Sequence, residues 1–291
     1  MGWLLLAIVV IAATAIWPLG RWTLGTNGDS AATGFWVSLT VAGISAVISA
    51  FTEEAHAVPA VWLAGLAMGS AYALGFWICT MRALQIGPAG PTVTINNMAM
   101  VCGVLYSVLV LATGRLNGWM VTGLAGTCMA LLLLGWNQTP ENGTPRVTGS
   151  RWARLIAAGG MLSCVSFVAQ THVGTLYPGH KYLFGASAFG SAAIILLPWM
   201  MCQPSRFFLR RERTGGLLLG LINAVILPLS LLTIHLLGAE VALPVTVATP
   251  ILLMLILGKV FYREHLRPAT WIACLLGAVS VALLAYGKAG C

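Results

Sequence analysis

The chain has 291 residues, of which 59% are hydrophobic and 8% charged, against about 45–50% and about 25% in ordinary soluble domains. That balance excludes a soluble globular protein and implies an all-α integral membrane protein. Lys and Arg total 15 against 7 acids, a formal charge of +8. The basic residues lie between apolar runs, not along a face that could follow phosphates, so the excess reads as a topology signal and not as a nucleic-acid site.

A bilayer core of about 30 Å needs about 20 helical residues per crossing, and ten runs of that kind occur. The first spans residues 3–22, with Pro18 expected to kink it. No Lys or Arg precedes it and it outlasts a signal-peptide core, so it reads as a resident helix. The second covers 31–51, the third 58–81, the fourth 91–112 and the fifth 118–136. A polar stretch, 137–150, with Pro140, Glu141, Asn142, Gly143 and Pro145, is the clearest loop. It divides the chain into a first five-helix unit, 1–136, and a second, 151–291. The second unit holds runs at 152–176, 182–201, 215–237, 241–261 and 269–286. All are far longer than the roughly ten-residue alternating segments of a membrane barrel. Of seven cysteines, Cys79, Cys102, Cys128, Cys164 and Cys274 fall inside apolar runs and none forms C-x-x-C. They read as buried thiols, not as a disulfide framework or a metal set.

The stretch 83–135 has a counterpart at 236–287: Pro91 answers to Pro244, Trp119 to Trp271 and Gly135 to Gly287, at offsets of 153, 152 and 152. Offsets near half the length point to an internal duplication. Five crossings followed by five place the halves in opposite orientations, the inverted-repeat plan of many secondary transporters. The pattern resembles the drug/metabolite transporter superfamily, whose repeats each carry a proline in the fourth helix, a Gly-x-Glu-like exit and a Gly-rich closing helix. The second repeat keeps Pro250, Glu264 and Gly277. The first has Asn97 where the proline would stand and no acid near Gly114 and Arg115. The resemblance implies ten transmembrane helices as two inverted five-helix repeats, with a central cavity lined by helices one, three, four, six, eight and nine.

Because ionised groups in a bilayer cost at least roughly 2.5 kcal/mol each, intramembrane acids would mark a mechanism. Asp29, Glu53, Glu54, Glu141, Glu212, Glu240 and Glu264 all map to loops or helix ends. This argues against a cation antiporter built on a buried carboxylate. The polar groups left inside the runs are Asn96, Asn97, Gln170, His172, Asn223, Thr246 and Thr249. Each either ties helices together or meets a substrate. Asn97 and Asn223, nearest mid-helix, lead the substrate-binding candidates, with Asn96, Gln170 and Thr249 behind them. Trp17 and Tyr72 are aromatics able to reach a cavity. His172 and His235 could couple transport to protons, since histidine titrates near neutrality, or serve as structural donors.

These residues favour a secondary transporter or exporter of a small polar metabolite, neutral or zwitterionic, working as monomer or homodimer with the lipid bilayer as its other partner. A membrane-embedded enzyme on a lipid-linked substrate needs clustered acids, histidines or a metal set, and no such motif stands out. We therefore expect no enzyme activity, no cofactor and no metal. A non-transporting accessory protein is a third reading. Loops one, three, five, seven and nine with their helix ends hold twelve of the fifteen Lys and Arg residues. The positive-inside rule places that side in the cytoplasm and both termini outside it, in a plasma (bacterial inner) membrane.

Overall fold

A chain this poor in polar side chains must pair its backbone N–H and C=O groups internally, and helices do so within one segment. The computed structural model describes residues 1–24, 29–52, 58–86, 89–113, 117–136, 150–202, 210–262 and 268–289. Side chains of some of these, Trp17, Pro18 and Lys259 among them, lie outside the description, as does the loop 137–149. The described residues are almost all helical and contain no strand.

The elements are α1 (Gly2–Leu24), α2 (Ser30–Thr52), α3 (Pro59–Ala71), a π-helical segment (Tyr72–Thr80), α4 (Met81–Ile86), α5 (Ala89–Met98) and α6 (Met100–Leu109). There follow α7 (Gly118–Trp136), α8 (Ser150–Leu176), a 3₁₀ turn (Pro178–His180), α9 (Lys181–Met201), α10 (Arg210–Leu237), α11 (Ala239–Tyr262) and α12 (Pro268–Ala289). The π segment runs without a gap from α3 into α4, and α5 meets α6 across the single residue Ala99. Counted as rods, the described residues form ten, one for each apolar run. Five stretches are long and apolar enough to cross a membrane: Ser30–Thr52, Pro59–Leu84, Ser150–Leu176, Pro178–Met201 and Arg211–Leu237. Shorter apolar stretches lie in the first, fourth, fifth and tenth rods.

Local chemistry sets the ends. The Asp29 carboxylate accepts the backbone N–H of Ala31 at 2.8 Å, capping α2. Pro59 occupies the first turn of α3, where its missing N–H costs nothing. Gly238 stops α10 at φ 83°, its N–H returning to the Ile234 carbonyl at 2.9 Å. A side chain at 238 would also strike the Glu240 carboxylate.

The two sequence halves do not form two globules. The main core draws Val37 and Val41 from α2, Met68 from α3, Trp77 from the π segment, Phe184 and Phe189 from α9, and Leu231 from α10. The extensive helix contacts cross between halves: α2 with α9, α7 with α12, α2 with α10, α3 with α9 and α1 with α10. Glycines allow close approaches. Gly65 and Gly69 of α3 lie against Ser187, Ala188 and Ser191 of α9, while Gly216 and Gly220 of α10 lie against Trp36 and Thr40 of α2. At each of these positions an added methyl group would collide with the facing helix.

Directions alternate along the chain. Gly2 at the start of α1 meets Leu236 and Leu237 at the end of α10, and Gly215 near the start of α10 meets Thr23 near the end of α1. Gly123 of α7 meets Leu284 of α12, and Gly126 meets Ser280. The first rod is thus antiparallel to the eighth and the fifth to the tenth. Leu6 and Leu284, from opposite chain ends, share a cluster with Met120, Leu237 and Val241. The start of α1 and the end of α12 therefore sit at one end of the bundle. At the opposite end the Asp29 N–H donates to Glu212 Oε1 at 2.7 Å.

Candidate functional site

The fourth rod is the place to begin, because its two amides precede a break. Asn96 and Asn97 stand in the last turn of α5, which ends at Met98, Ala99 leaves the helix pattern, and α6 starts at Met100. Tightened three-residue bonds span the junction: the Ala99 N–H donates to the Asn96 carbonyl at 3.4 Å, and the Cys102 N–H to the Ala99 carbonyl at 3.0 Å.

This rod runs parallel to α8, and paired polar groups mark the seam. The Trp152 indole N–H donates to Thr92 Oγ1 at 3.1 Å. Further along, Asn96 Oδ1 accepts Ser163 Oγ at 2.6 Å and, from the end of the π segment, Thr80 Oγ1 at 3.2 Å. Cys102 Sγ and Cys164 Sγ lie 2.7 Å apart, both as free thiols. Tyr106 OH lies 2.8 Å from His172 Nδ1, and the Tyr177 ring centroid stands 5.8 Å from that of the imidazole. Thr171, fully enclosed against Gly103, has a hydroxyl with no hydrogen bond among the described residues. The donors and acceptors named here are hydroxyl, amide, indole, thiol and imidazole groups, with no acid, Lys or Arg side chain among them.

The expected residues separate by role. Asn96 is a tie between three helical segments. Asn97, half-buried beside it, makes no side-chain hydrogen bond among the described residues. Gln170, half-buried on α8, has none either; it lies seven residues from Ser163 and so on the same face. Asn223 Nδ2 donates to its own helix at the Leu219 carbonyl, 2.8 Å away, leaving Oδ1 for another donor. Thr249 Oγ1 is enclosed without a hydrogen bond among the described residues, between Pro244 and Pro250 within α11. Thr246, by contrast, turns its hydroxyl back on the Ala242 carbonyl at 2.8 Å. No hydrogen bond joins Asn97, Gln170, Asn223 and Thr249 to one another among the described residues.

Tyr72 opens the π segment and lies in a ring cluster: parallel to Phe76 at 5.5 Å, edge-on to Trp77 at 6.1 Å and to Phe189 at 5.4 Å. That is packing. Trp17 lies on α1 with its side chain outside the described residues. His172 is held by Tyr106, whereas His235 is exposed in the last turn of α10.

The acids correct one expectation. Glu212 and Glu240 stand at helix beginnings as their sequence positions indicate, yet they are 4% and 2% exposed. Being near a helix end is not the same as being in water. The first turn of a helix presents free N–H groups and the positive end of its dipole, so a carboxylate can be enclosed there. With two carboxylates enclosed, the sequence argument against a mechanism built on a buried carboxylate no longer holds. Tyr106, Thr80, Ser163 and Thr171 escaped the sequence reading, and for Ser163 its seven-residue spacing from Gln170 was the available signal.

No protein-family model matches the sequence, and no curated protein matches it. Solved structures do, in 28 chains. One, described only as "Crystal structure of protein", is similar at a TM-score of 0.74 and 16% identity, over 96% of this chain and 94% of its own. At that identity the likeness is one of fold and carries no activity with it.

Proposed function

We propose that the chain is a ten-span secondary transporter or exporter of a small, neutral or zwitterionic polar metabolite, operating by alternating access between two inverted five-rod halves. The observation that carries this reading is the reciprocal pairing across the halves. The Gly65/Gly69 pair on the third rod packs on the seventh, and the Gly216/Gly220 pair on the eighth packs on the second. Members of the two glycine pairs are 151 positions apart, and so are the partner residues Trp36 and Ser187, and Thr40 and Ser191. One contact, made twice with the halves exchanged, is what an inverted duplication produces, and such duplications place substrates at the repeat interface.

The seam between α5/α6 and α8 belongs to that interface, with Asn97, Gln170, Asn223 and Thr249 as substrate-facing groups. The break at Ala99 and the two prolines of α11 fall in the fourth rod of each half, where interrupted helices commonly line a site. The test begins with metabolite profiling of cells that express or lack the chain, followed by counterflow of each altered solute in liposomes. Counterflow of one such solute supports the proposal. Altered lipid-linked pools with no counterflow of any solute would replace it with the enzyme reading.

A further inference from the structure

We propose that Cys102 and Cys164 form a reversible disulfide that ties α6 to α8 and holds the two halves in one arrangement. The sulfurs stand 2.7 Å apart across the seam, both as thiols, and a disulfide needs about 2.05 Å, so closure asks for less than about 1 Å of travel. They come from different halves, so the bond would cross the interface at which alternating access takes place. Neighbours on each side already hold the helices in register: Asn96 with Ser163 and Tyr106 with His172. Preset register is what disulfide formation requires and what random thiols lack. Cys79, Cys128 and Cys274 have no sulfur–sulfur contact among the described residues, which singles out this pair. Both thiols are half-buried, so the oxidant must be small and able to enter the apolar phase, such as a low-molecular-weight diazene.

The chemistry balances. One thiolate adds to the N=N bond of the diazene. The second attacks the first sulfur, forming S–S and expelling the hydrazine. Two electrons and two protons thereby pass from the thiols to the diazene, and an added dithiol reverses the change. The same exchange with a small cellular disulfide would return two small thiols instead.

The inference that the bond restrains motion rests on the transporter reading; the inference that the bond forms does not. Full-length protein in liposomes is treated with diamide, digested, and mapped by mass spectrometry, with hydrogen exchange followed before and after dithiothreitol. The expected result is a Cys102–Cys164 peptide cross-link, absent in Cys102→Ser and in Cys164→Ser and retained in Cys79→Ser. Amide exchange in α5, α6 and α8 should slow at least threefold on oxidation and recover on reduction. If wild-type protein keeps both thiols free under diamide while exposed Cys202 reacts, or if Cys102 pairs elsewhere, the site is refuted. If the cross-link forms and exchange is unchanged, the seam does not move and the clamp is refuted together with the moving interface it relies on.

Discussion

Asn96 and Asn97 are neighbours of identical chemistry with different work to do. Asn96 has its oxygen occupied by two hydroxyls from separate helices, so Asn96→Ala leaves both hydroxyls short of an acceptor and should lower unfolding stability by about 1–3 kcal/mol. Asn97 has no such tie, so Asn97→Ala should leave thermal unfolding within about 0.5 kcal/mol of wild type and reduce transport, as should Asn223→Ala. Thermal melts in detergent paired with counterflow separate these outcomes. Equal destabilisation by the two alanines would remove Asn97 from the site. If transport is proton-coupled, the histidines are the second residue-scale test. His172 is held at Nδ1 by Tyr106 and His235 stands exposed, and the double His→Ala variant should lose the pH dependence of uptake. An unchanged pH profile assigns coupling to another group, and the enclosed Glu240 would be the next to replace.

At the scale of helices, the glycine pairs make a paired prediction. Gly69→Leu drives a side chain into the Ala188 carbonyl, and Gly220→Leu drives one into Thr40. Overpacking of this kind costs about 1–3 kcal/mol, and the two variants should lose stability to a similar degree because they spoil the same contact in opposite halves. A large loss in one and none in the other, by thermal melt, would count against the duplication. Gly238→Ala should destabilise by about 1 kcal/mol or more, since φ 83° strains any residue bearing a Cβ. The helices themselves were legible in the apolar runs: α7 begins and ends where its run does, at Gly118 and Trp136. Where the structure departs, the causes are local. α10 starts at Arg210, not at residue 215, because its charged first turn is helical too. The π segment over Tyr72–Thr80 has no proline or polar break to announce it. It packs on α8, and that neighbour was not readable from residues 72–80 alone. The Cys102–Cys164 contact and the enclosure of Glu240 were hidden for the same reason: composition assigns an environment to a run, whereas these depend on which runs meet.

For the molecule as a whole, the shared cluster of Leu6 and Leu284 puts the start of α1 and the end of α12 at one end, and the sequence reading assigns most Lys and Arg to the loops of the other. We expect tags at both ends to be reachable in intact cells, because positive loops resist translocation. Tags reachable only after permeabilisation would reverse the orientation while leaving the fold untouched. The reciprocal seating of Gly65/Gly69 on α9 and of Gly216/Gly220 on α2 also bears on how the chain is made. Synthesis delivers the first five rods before the second five exist. Until α9 emerges, Gly65 and Gly69 of α3 cannot meet their native partners, nor can α2 meet α10. The native contacts of these helices are therefore completed only after the stretch 137–149 has been made. Cut within 137–149, the two fragments should be degraded when made alone and rescue each other when made together, and a first fragment that accumulates alone would mean these helices have other partners.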